Sequence, residues 1–375
     1  MASHLPDYFK CPISLEIMSD PVILCSGHTF DRASIKRWLD AGHRTCPITK
    51  LPLPETPLLI PNHALRSLIS NYTLLSPLHP QISHPETLIS TLSSPSSPAD
   101  SKLDSLRQLA RFSKRDAALR RRLADSGAVS AVLSVLDDCA SGTGSAAVQE
   151  KALSLLLSIS LDDDSKVGLV AEGAVARVVD VLLRGDSSDC RAVAATVVTS
   201  LAVVEVNKAT IGAFPGAIGG LVAILRDGKG RERKEAATAL FALCSFPGNR
   251  RRAVDCGAVP VLLLSVDSGL ERGVEVIGVL AKCKEGREQM ESYRRCVQIL
   301  VSVVRNGSSR GIQYALLALA SLCFNSQQML LMALELEALE LSVGLVDDDN
   351  EKVRRNASNL VRVLRGGGNQ LRGSS

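Results

Sequence analysis

The chain has 375 residues, 46% of them hydrophobic, enough for more than one core and too apolar for a chain disordered throughout. Its 7 Phe, 4 Tyr and 1 Trp are only 3% aromatic content, which excludes modules that stack nucleic-acid bases and sandwiches built on buried rings. The 43 basic against 39 acidic side chains leave +4, too mild to call for a polyanion partner. All six His, at positions 4, 28, 43, 63, 79 and 84, fall in the first 84 residues, as does the single Trp.

Residues 1–10 hold Pro6 and Asp7 and no apolar stretch, so they do not read as a signal peptide, and Ala2 excludes N-myristoylation. Apolar runs such as 314–324 fall short of the roughly 18 residues a membrane span requires. The expected setting is intracellular and reducing: the cytoplasm, with the nucleus as a second compartment. There the ten Cys serve as core residues or ligands rather than disulfides.

Residues 1–75 carry the chemistry. Val22 to Leu24 and Thr29-Phe30 read as a short hairpin across Ser26-Gly27. Asp31 is a good N-cap for a helix through Leu39, Gly42 a good stop, and Asn62 caps a second helix to about Asn71. Polar residues recur in pairs with two residues between them: Cys11 and Ser14, Cys25 and His28, Asp31 and Ser34, Cys46 and Thr49. This is the spacing frame of a cross-braced two-zinc fold. One site would comprise Cys11, Ser14, Asp31 and Ser34, the other Cys25, His28, Cys46 and Thr49. Closed structural zinc wants thiolate or imidazole ligands, and Ser and Thr hydroxyls stay protonated near neutrality. No metal is expected at the first site. The second has three plausible ligands, which leaves a zinc-binding RING-like regulator as a rival reading, with about one zinc per chain. The same residues can instead form a polar network joining the loops. Each hydrogen bond contributes about 0.5–1.5 kcal/mol against about 10–16 for zinc. The apolar set Ile17, Val22, Leu24, Phe30, Ile35, Leu39, Leu53 and Leu59 must then carry most of the stability.

Residues 76–100 hold five Pro and seven Ser and read as a semi-extended, partly disordered linker. Residues 101–365 repeat. Gly127-Ala128-Val129, Gly173-Ala174-Val175, Gly216-Ala217-Ile218 and Gly257-Ala258-Val259 recur 46, 43 and 41 residues apart, and Arg295-Cys296-Val297 and Glu337-Ala338-Leu339 continue the series. Each precedes an apolar helical stretch, a break and a longer helix, the signature of an α-solenoid. The Gly should let a short first helix turn sharply into the second. The seven Cys of this region, at 139, 190, 244, 256, 283, 296 and 323, have no ligand spacing and read as small core residues. Residues 366–375 read as a flexible tail.

Two family resemblances follow from these motifs. Asn207-Lys208 through Ser245, with Gly-Ala-Ile, Leu-Val and Ala-Leu in phase, resembles an armadillo repeat over roughly residues 101–365. Aligned third helices place Ser158, Ser200, Ala242, Val279 and Ser321 where armadillo proteins of the import type carry an Asn ladder, so peptide capture of that kind is not expected. The runs 250–252 and 231–234 could add basic charge but read first as solvated helix faces. At the N-terminus, Phe9-Lys10-Cys11-Pro12-Ile13-Ser14-Leu15-Glu16 through Val22, Ser26-Gly27-His28-Thr29-Phe30-Asp31, Trp38-Leu39, Cys46-Pro47-Ile48-Thr49 and Leu59-Ile60-Pro61-Asn62 match the U-box, a zinc-free RING-like module. The combination resembles the plant U-box proteins with armadillo repeats.

The expected fold is therefore mostly α, a small α+β U-box followed by an armadillo α-solenoid. The resemblance implies an E3 ubiquitin ligase that docks a ubiquitin-charged conjugating enzyme (E2) and promotes direct transfer to a lysine of a protein substrate, with the repeats recruiting that substrate or a regulator. It implies no cofactor, no nucleic-acid partner and no ubiquitin intermediate on the ligase. By motif position the docking residues would be Ile13, Leu15, Trp38, Pro47 and Lys50. No general base is expected beside Cys11, Cys25 or Cys46, so none should be a nucleophile. His28 reads as a structural hydrogen-bonding residue. The rival from another class is an armadillo adaptor with an inactive U-box.

Overall fold

The computed structural model describes residues 7–54, 56–75, 85–115, 117–140, 145–185 and 187–372, and falls into two compact units, 1–83 and 84–375. The first unit packs a small sheet against two helices. β1 (Pro21–Ile23) pairs antiparallel with β2 (Thr29–Asp31) and with β3 (Ile60–Pro61), in the order β2-β1-β3. The hairpin turns at Gly27, whose φ of +78° suits a residue without a Cβ. Asp31 caps α1 (Arg32–Asp40) by accepting the Ala33 N–H at 3.1 Å. Asn62 does the same for α2 (His63–Leu75) through the Leu65 N–H at 3.0 Å.

The core of this unit comprises Phe9, Cys11, Met18, Val22, Leu24, Phe30, Ile35, Cys46, Leu53 and Ile69, with Leu39 and Leu59 packed at its edge. Ile17 was expected inside and is exposed; Met18 takes its place because its N–H bonds the Phe9 carbonyl and turns the chain inward there. Both expected Cys of the loops are buried, so small sulfur groups fill space among the aliphatic side chains.

The second unit is a stack of helix triplets. First helices are α5 (Ala117–Asp125), α8 (Asp163–Ala171), α11 (Glu205–Ala213), α14 (Pro247–Asp255), α17 (Lys284–Ser292) and α20 (Gln327–Glu335). Second helices are α6 (Ala128–Ala140), α9 (Ala174–Arg184), α12 (Ala217–Asp227), α15 (Ala258–Asp267), α18 (Cys296–Asn306) and α21 (Ala338–Val343). Third helices are α7 (Ala146–Ile159), α10 (Ser188–Leu201), α13 (Gly230–Cys244), α16 (Arg272–Leu280), α19 (Ser309–Asn325) and α22 (Glu351–Arg372), each packed on the next. The stack begins earlier than expected. Within the stretch read as linker, α3 (Pro85–Ser93) and α4 (Ala99–Arg115) form and bury Leu88 and Leu92 against the same core. The Leu spacing of 88 and 92 is one helical turn, and it overrides the surrounding Pro and Ser. Residues 76–84 lie outside the described residues. At the other end α22 continues to Arg372 through what read as tail, and 373–375 lie outside the described residues.

Gly127, Gly173, Gly216 and Gly257 all take left-handed φ, from +75° to +88°, at the junction of first and second helix. Glu337 keeps that conformation at φ +62° without the glycine, at a penalty of roughly 1 kcal/mol. Arg295 abandons it, at φ −97°, which marks the divergent repeat. Asn207 and Asn249 staple neighbouring repeats: the Nδ2 of each donates to a carbonyl of the preceding first helix, Lys166 or Lys208, and to the end of the preceding third helix, Leu201 or Leu243. Five of the seven solenoid Cys are core residues as expected, while Cys283 is half-buried and Cys256 is exposed at the end of α14, where the chain leaves the helix. Among the described residues no single helix is long and apolar enough to cross a membrane.

Candidate functional site: two matched loops of the N-terminal unit

The sequences Cys11-Pro12-Ile13-Ser14-Leu15 and Cys46-Pro47-Ile48-Thr49-Lys50 fold alike. In the first, the Cys11 N–H donates to the Glu16 carbonyl and the Leu15 N–H to the Cys11 carbonyl, both at 2.8 Å. In the second, Cys46 N–H reaches the Leu51 carbonyl and Lys50 N–H the Cys46 carbonyl, both at 2.9 Å. Leu15 and Lys50 each adopt φ +59°, a left-handed conformation that non-glycine residues rarely take. The bridges Lys10–Ile17 and Thr45–Pro52 close the two loops at equivalent points. A tight loop of this kind points backbone N–H groups at its own sulfur.

Electrostatics follow that geometry. Burial opposes ionisation of the Cys46 thiol, but the hydroxyls of Ser26 and Thr49 and the N–H groups of Thr49 and Ile48 outweigh it and bring the pKa down to about 7. Cys11 is also lowered: burial again opposes, and the N–H groups of Asp31, Ser14 and Ile13 with the Ser14 hydroxyl prevail. The Ser26 hydroxyl donates to Cys46 Sγ at 3.1 Å, and the Asp31 N–H to Cys11 Sγ at 3.3 Å. No base side chain is among these partners.

The expected polar network is partly relocated. Ser14 and Thr49 bond within their own loops, to Cys11 and Cys46, rather than across them. Asp31 is the hub: Oδ2 accepts from the N–H and hydroxyl of Ser19 and from the Asp20 N–H, at 2.8, 3.1 and 3.0 Å. Burial would raise its carboxyl pKa, and the N–H groups of Asp20, Ser19 and Ala33 with the Ser19 hydroxyl together lower it. Asp20 in turn pairs with Arg32 at 2.7 Å and with Arg66 on α2. Ser34 is buried, and His28 Nδ1 lies 3.1 Å from the Ser26 carbonyl, in the hairpin turn. Cys25 is exposed on the same turn. Ser19, Asp20, Ser26, Arg32 and Arg66 lie in or beside the motifs quoted above but were not expected in this network. The signal available was the Ser-Asp pair ahead of β1 and an Arg placed next to the Asp31 cap.

The residues expected from the sequence to dock a partner take three positions. Trp38 is half-buried: its Nε1–H donates to the Thr45 carbonyl at 2.9 Å, its ring stacks on His43 at 4.0 Å, and Lys50 Nζ stands 5.9 Å over it. It therefore ties α1 to the second loop and holds the Lys50 charge over its face. Pro47 and Ile13 are half-buried, with Ile13 packed on the core, while Leu15 is 74% exposed. Ile48 and Leu51 add exposed apolar surface on the second loop that the sequence reading did not assign. Large apolar side chains kept in water on rigid loops mark an interaction surface.

Residues 5–75 match the family model described as the U-box domain, and residues 86–367 the one described as the plant U-box protein ARM repeat region. The chain belongs to the plant U-box proteins with armadillo repeats. It is 56% identical over 375 residues to U-box domain-containing protein 8 of Arabidopsis thaliana, covering 98% of this chain and 99% of that relative. U-box domain-containing protein 25 of the same plant is 28% identical over 389 residues, covering 96% and 91%. Among solved structures, an engineered protein superposes with a TM-score of 0.65 at 22% identity, over 76% of this chain and 68% of its own, a likeness of fold alone. This U-box and armadillo combination fits the family of E3 ubiquitin ligases.

Proposed function

We propose that the chain is an E3 ubiquitin-protein ligase whose U-box docks a ubiquitin-charged conjugating enzyme, while its armadillo repeats recruit the protein substrate. The observation that carries this reading is the pair of matched Cys-Pro-Ile loops with exposed apolar side chains, joined to α1 through Trp38. A small apolar surface suits a partner that must arrive charged and leave spent. The ligase contributes position rather than covalent chemistry: it restrains the thioester-linked ubiquitin so that the substrate lysine attacks it directly. The thiols of Cys11 and Cys46 are buried and engaged in their loops, which fits the absence of an intermediate on the ligase.

The test is a reconstituted reaction with ubiquitin, activating enzyme, ATP and a panel of conjugating enzymes. Wild type should build ubiquitin chains, and Ile13→Ala and Pro47→Ala should each lower the rate by about tenfold or more with the fold intact. A folded wild type that stays inert across the panel would establish the adaptor reading instead.

A further inference from the structure

In the basic runs at 231–234 and 250–252, Arg231, Lys234, Arg251 and Arg252 are exposed on helix faces as expected, and Arg250 departs from that reading. Arg250 is half-buried and caps the end of α13, donating to the Cys244 and Ser245 carbonyls, and Arg252 bonds Gly248 and Asn249 within α14. The larger excess of positive charge lies along the layer of third helices, with the run at 231–234 part of it. α7 and α10 are balanced, Glu150 against Lys151 and Asp189 against Arg191. The four third helices that follow are not. Up to residue 366 they hold Arg231, Arg233, Lys234, Arg272, Arg310, Lys352, Arg354, Arg355, Arg362 and Arg365 against Glu232, Glu235, Glu275 and Glu351.

Three of those carboxylates are already occupied. Glu232 takes Arg191 at 2.7 Å, Glu235 lies 3.8 Å from Arg231, and Glu275 takes both Arg272 and Arg310 at 2.7 Å. Nearby Glu271 accepts the Ser308 N–H. Asp348, at the foot of α22, accepts the Asn350 N–H of its own turn. Glu275 is only 5% exposed and sits between the two guanidinium groups, so it orients them rather than releasing them to water. Arg272 also donates to the Thr238 hydroxyl, and Arg310 lies 5.6 Å over the Phe241 ring. Each guanidinium is thus oriented through one or two of its nitrogens, with further N–H groups remaining. Lys352 and Arg355 continue the row: hydrogen bonds from Asn350 to Ser309 and from Asn356 to Gln313 set them beside the start of α19. Both are exposed, as is Lys234 one turn before Thr238.

We propose that this face of α13, α16, α19 and α22 is the substrate-docking surface, and that its partner is an Asp/Glu-rich peptide segment anchored on Arg272 and Arg310. The proposal rests on the recruiting role given to the repeats above and names the chemistry they read. Charge complementarity selects the occupant, and two guanidiniums fixed by a buried carboxylate lose less freedom on binding than free side chains do. The Ser ladder agrees that main-chain capture is not the mode. Ser200 and Ser321 hydroxyls donate to the carbonyls of residues 160 and 281 in the preceding repeat, so they are engaged within the solenoid.

The experiment measures fluorescence anisotropy of a labelled Asp/Glu-rich peptide and its Asn/Gln counterpart with the full chain. The acidic peptide should bind at least about tenfold more tightly than the neutral one. The double variant Arg272→Ala with Arg310→Ala should lose about tenfold in affinity, and so should the triple variant Lys234→Ala, Lys352→Ala, Arg355→Ala. The triple variant removes exposed side chains and decides the matter if the double variant fails to fold. Arg251→Ala with Arg252→Ala, an equal loss of charge on α14, should change affinity less than about twofold. Equal binding of the neutral peptide, or an equal loss from the α14 control, would overturn the proposal. Autoubiquitination separates the two readings: chain formation without acidic-peptide binding defeats this inference alone, and binding without chain formation defeats the ligase reading alone.

Discussion

Cysteine behaves in opposite ways in the two units. In the U-box, loop N–H groups and hydroxyls draw Cys46 down to about 7 and lower Cys11 as well. In the solenoid, burial outweighs the little that favours the thiolate and pushes Cys244, Cys296 and Cys323 up to about 12. The contrast reflects how each unit is held. The U-box has a core too small to stand on apolar burial alone and fixes its loops through directional bonds at Asp31, Asp20 and the two sulfurs. The solenoid buries the same few residue types again and again, and polar groups enter it mainly as staples such as Asn207 and Asn249.

If that division is right, the largest effect belongs to Phe30, fully buried in the small core. Phe30→Ala should remove about 3–5 kcal/mol and melt the U-box as a unit. Circular dichroism should then show the solenoid helices still folded at room temperature, with chain formation abolished. A joint collapse of both units would refute their independence.

Next comes Asn249→Ala. Losing its bonds to the Lys208 and Leu243 carbonyls leaves two acceptors without that donor beneath the Gly212 backbone, which approaches Asn249 too closely for any Cβ. The expected loss is about 1–3 kcal/mol of solenoid stability, read by thermal unfolding, with ubiquitin chain formation at low temperature unchanged.

The smallest effect is on pH, and its sign differs between the units. An unfolded thiol titrates near about 8.5. Folded Cys46 titrates lower, so between about pH 7 and 8.5 the unfolded U-box holds more protons and stability rises with pH, by on the order of 1–2 kcal/mol. Cys244, Cys296 and Cys323 titrate higher, so above about pH 8.5 the folded solenoid holds more protons and stability falls as pH rises. Chemical denaturation followed at the single Trp38 for the U-box, and by helical signal for the solenoid, should show the two trends diverge. Parallel trends would mean that the loop donors do not stabilise the thiolate.

Elements with a strong local code were legible in the sequence. The Asp31 and Asn62 caps, the hairpin at Gly27 and four left-handed glycines are written in single residues. So was the third-helix alignment, since residues 158, 200, 242, 279 and 321 do lie on successive third helices. What stayed hidden depends on contacts distant in sequence. Asp31 was read as one of eight frame residues, yet its hub role needs Ser19 and Asp20 folded back upon it. Ile48 is exposed while its counterpart Ile13 is partly buried: both loops put their Cys in the core, but of the two Ile only Ile13 packs against it. The helix at 85–93 was masked by a composition of Pro and Ser that matters less than two Leu one turn apart.

One irregularity reaches further. α16 is nine residues long, its ladder position follows the previous one by 37 residues instead of 42, and residues 273–281 are all buried. Over it, Phe241 of α13 meets Tyr314 of α19 edge to face at 5.5 Å, above Gly278, where any side chain would collide with Tyr314. In an ordinary solenoid each repeat touches only its neighbours, so unfolding spreads as a chain of nearly independent steps. Here the third and fifth of the third helices, α13 and α19, are coupled directly. The C-terminal half of the stack should therefore open as a single block, its hydrogen exchange concerted from α13 to α19, while the repeats before it open one at a time.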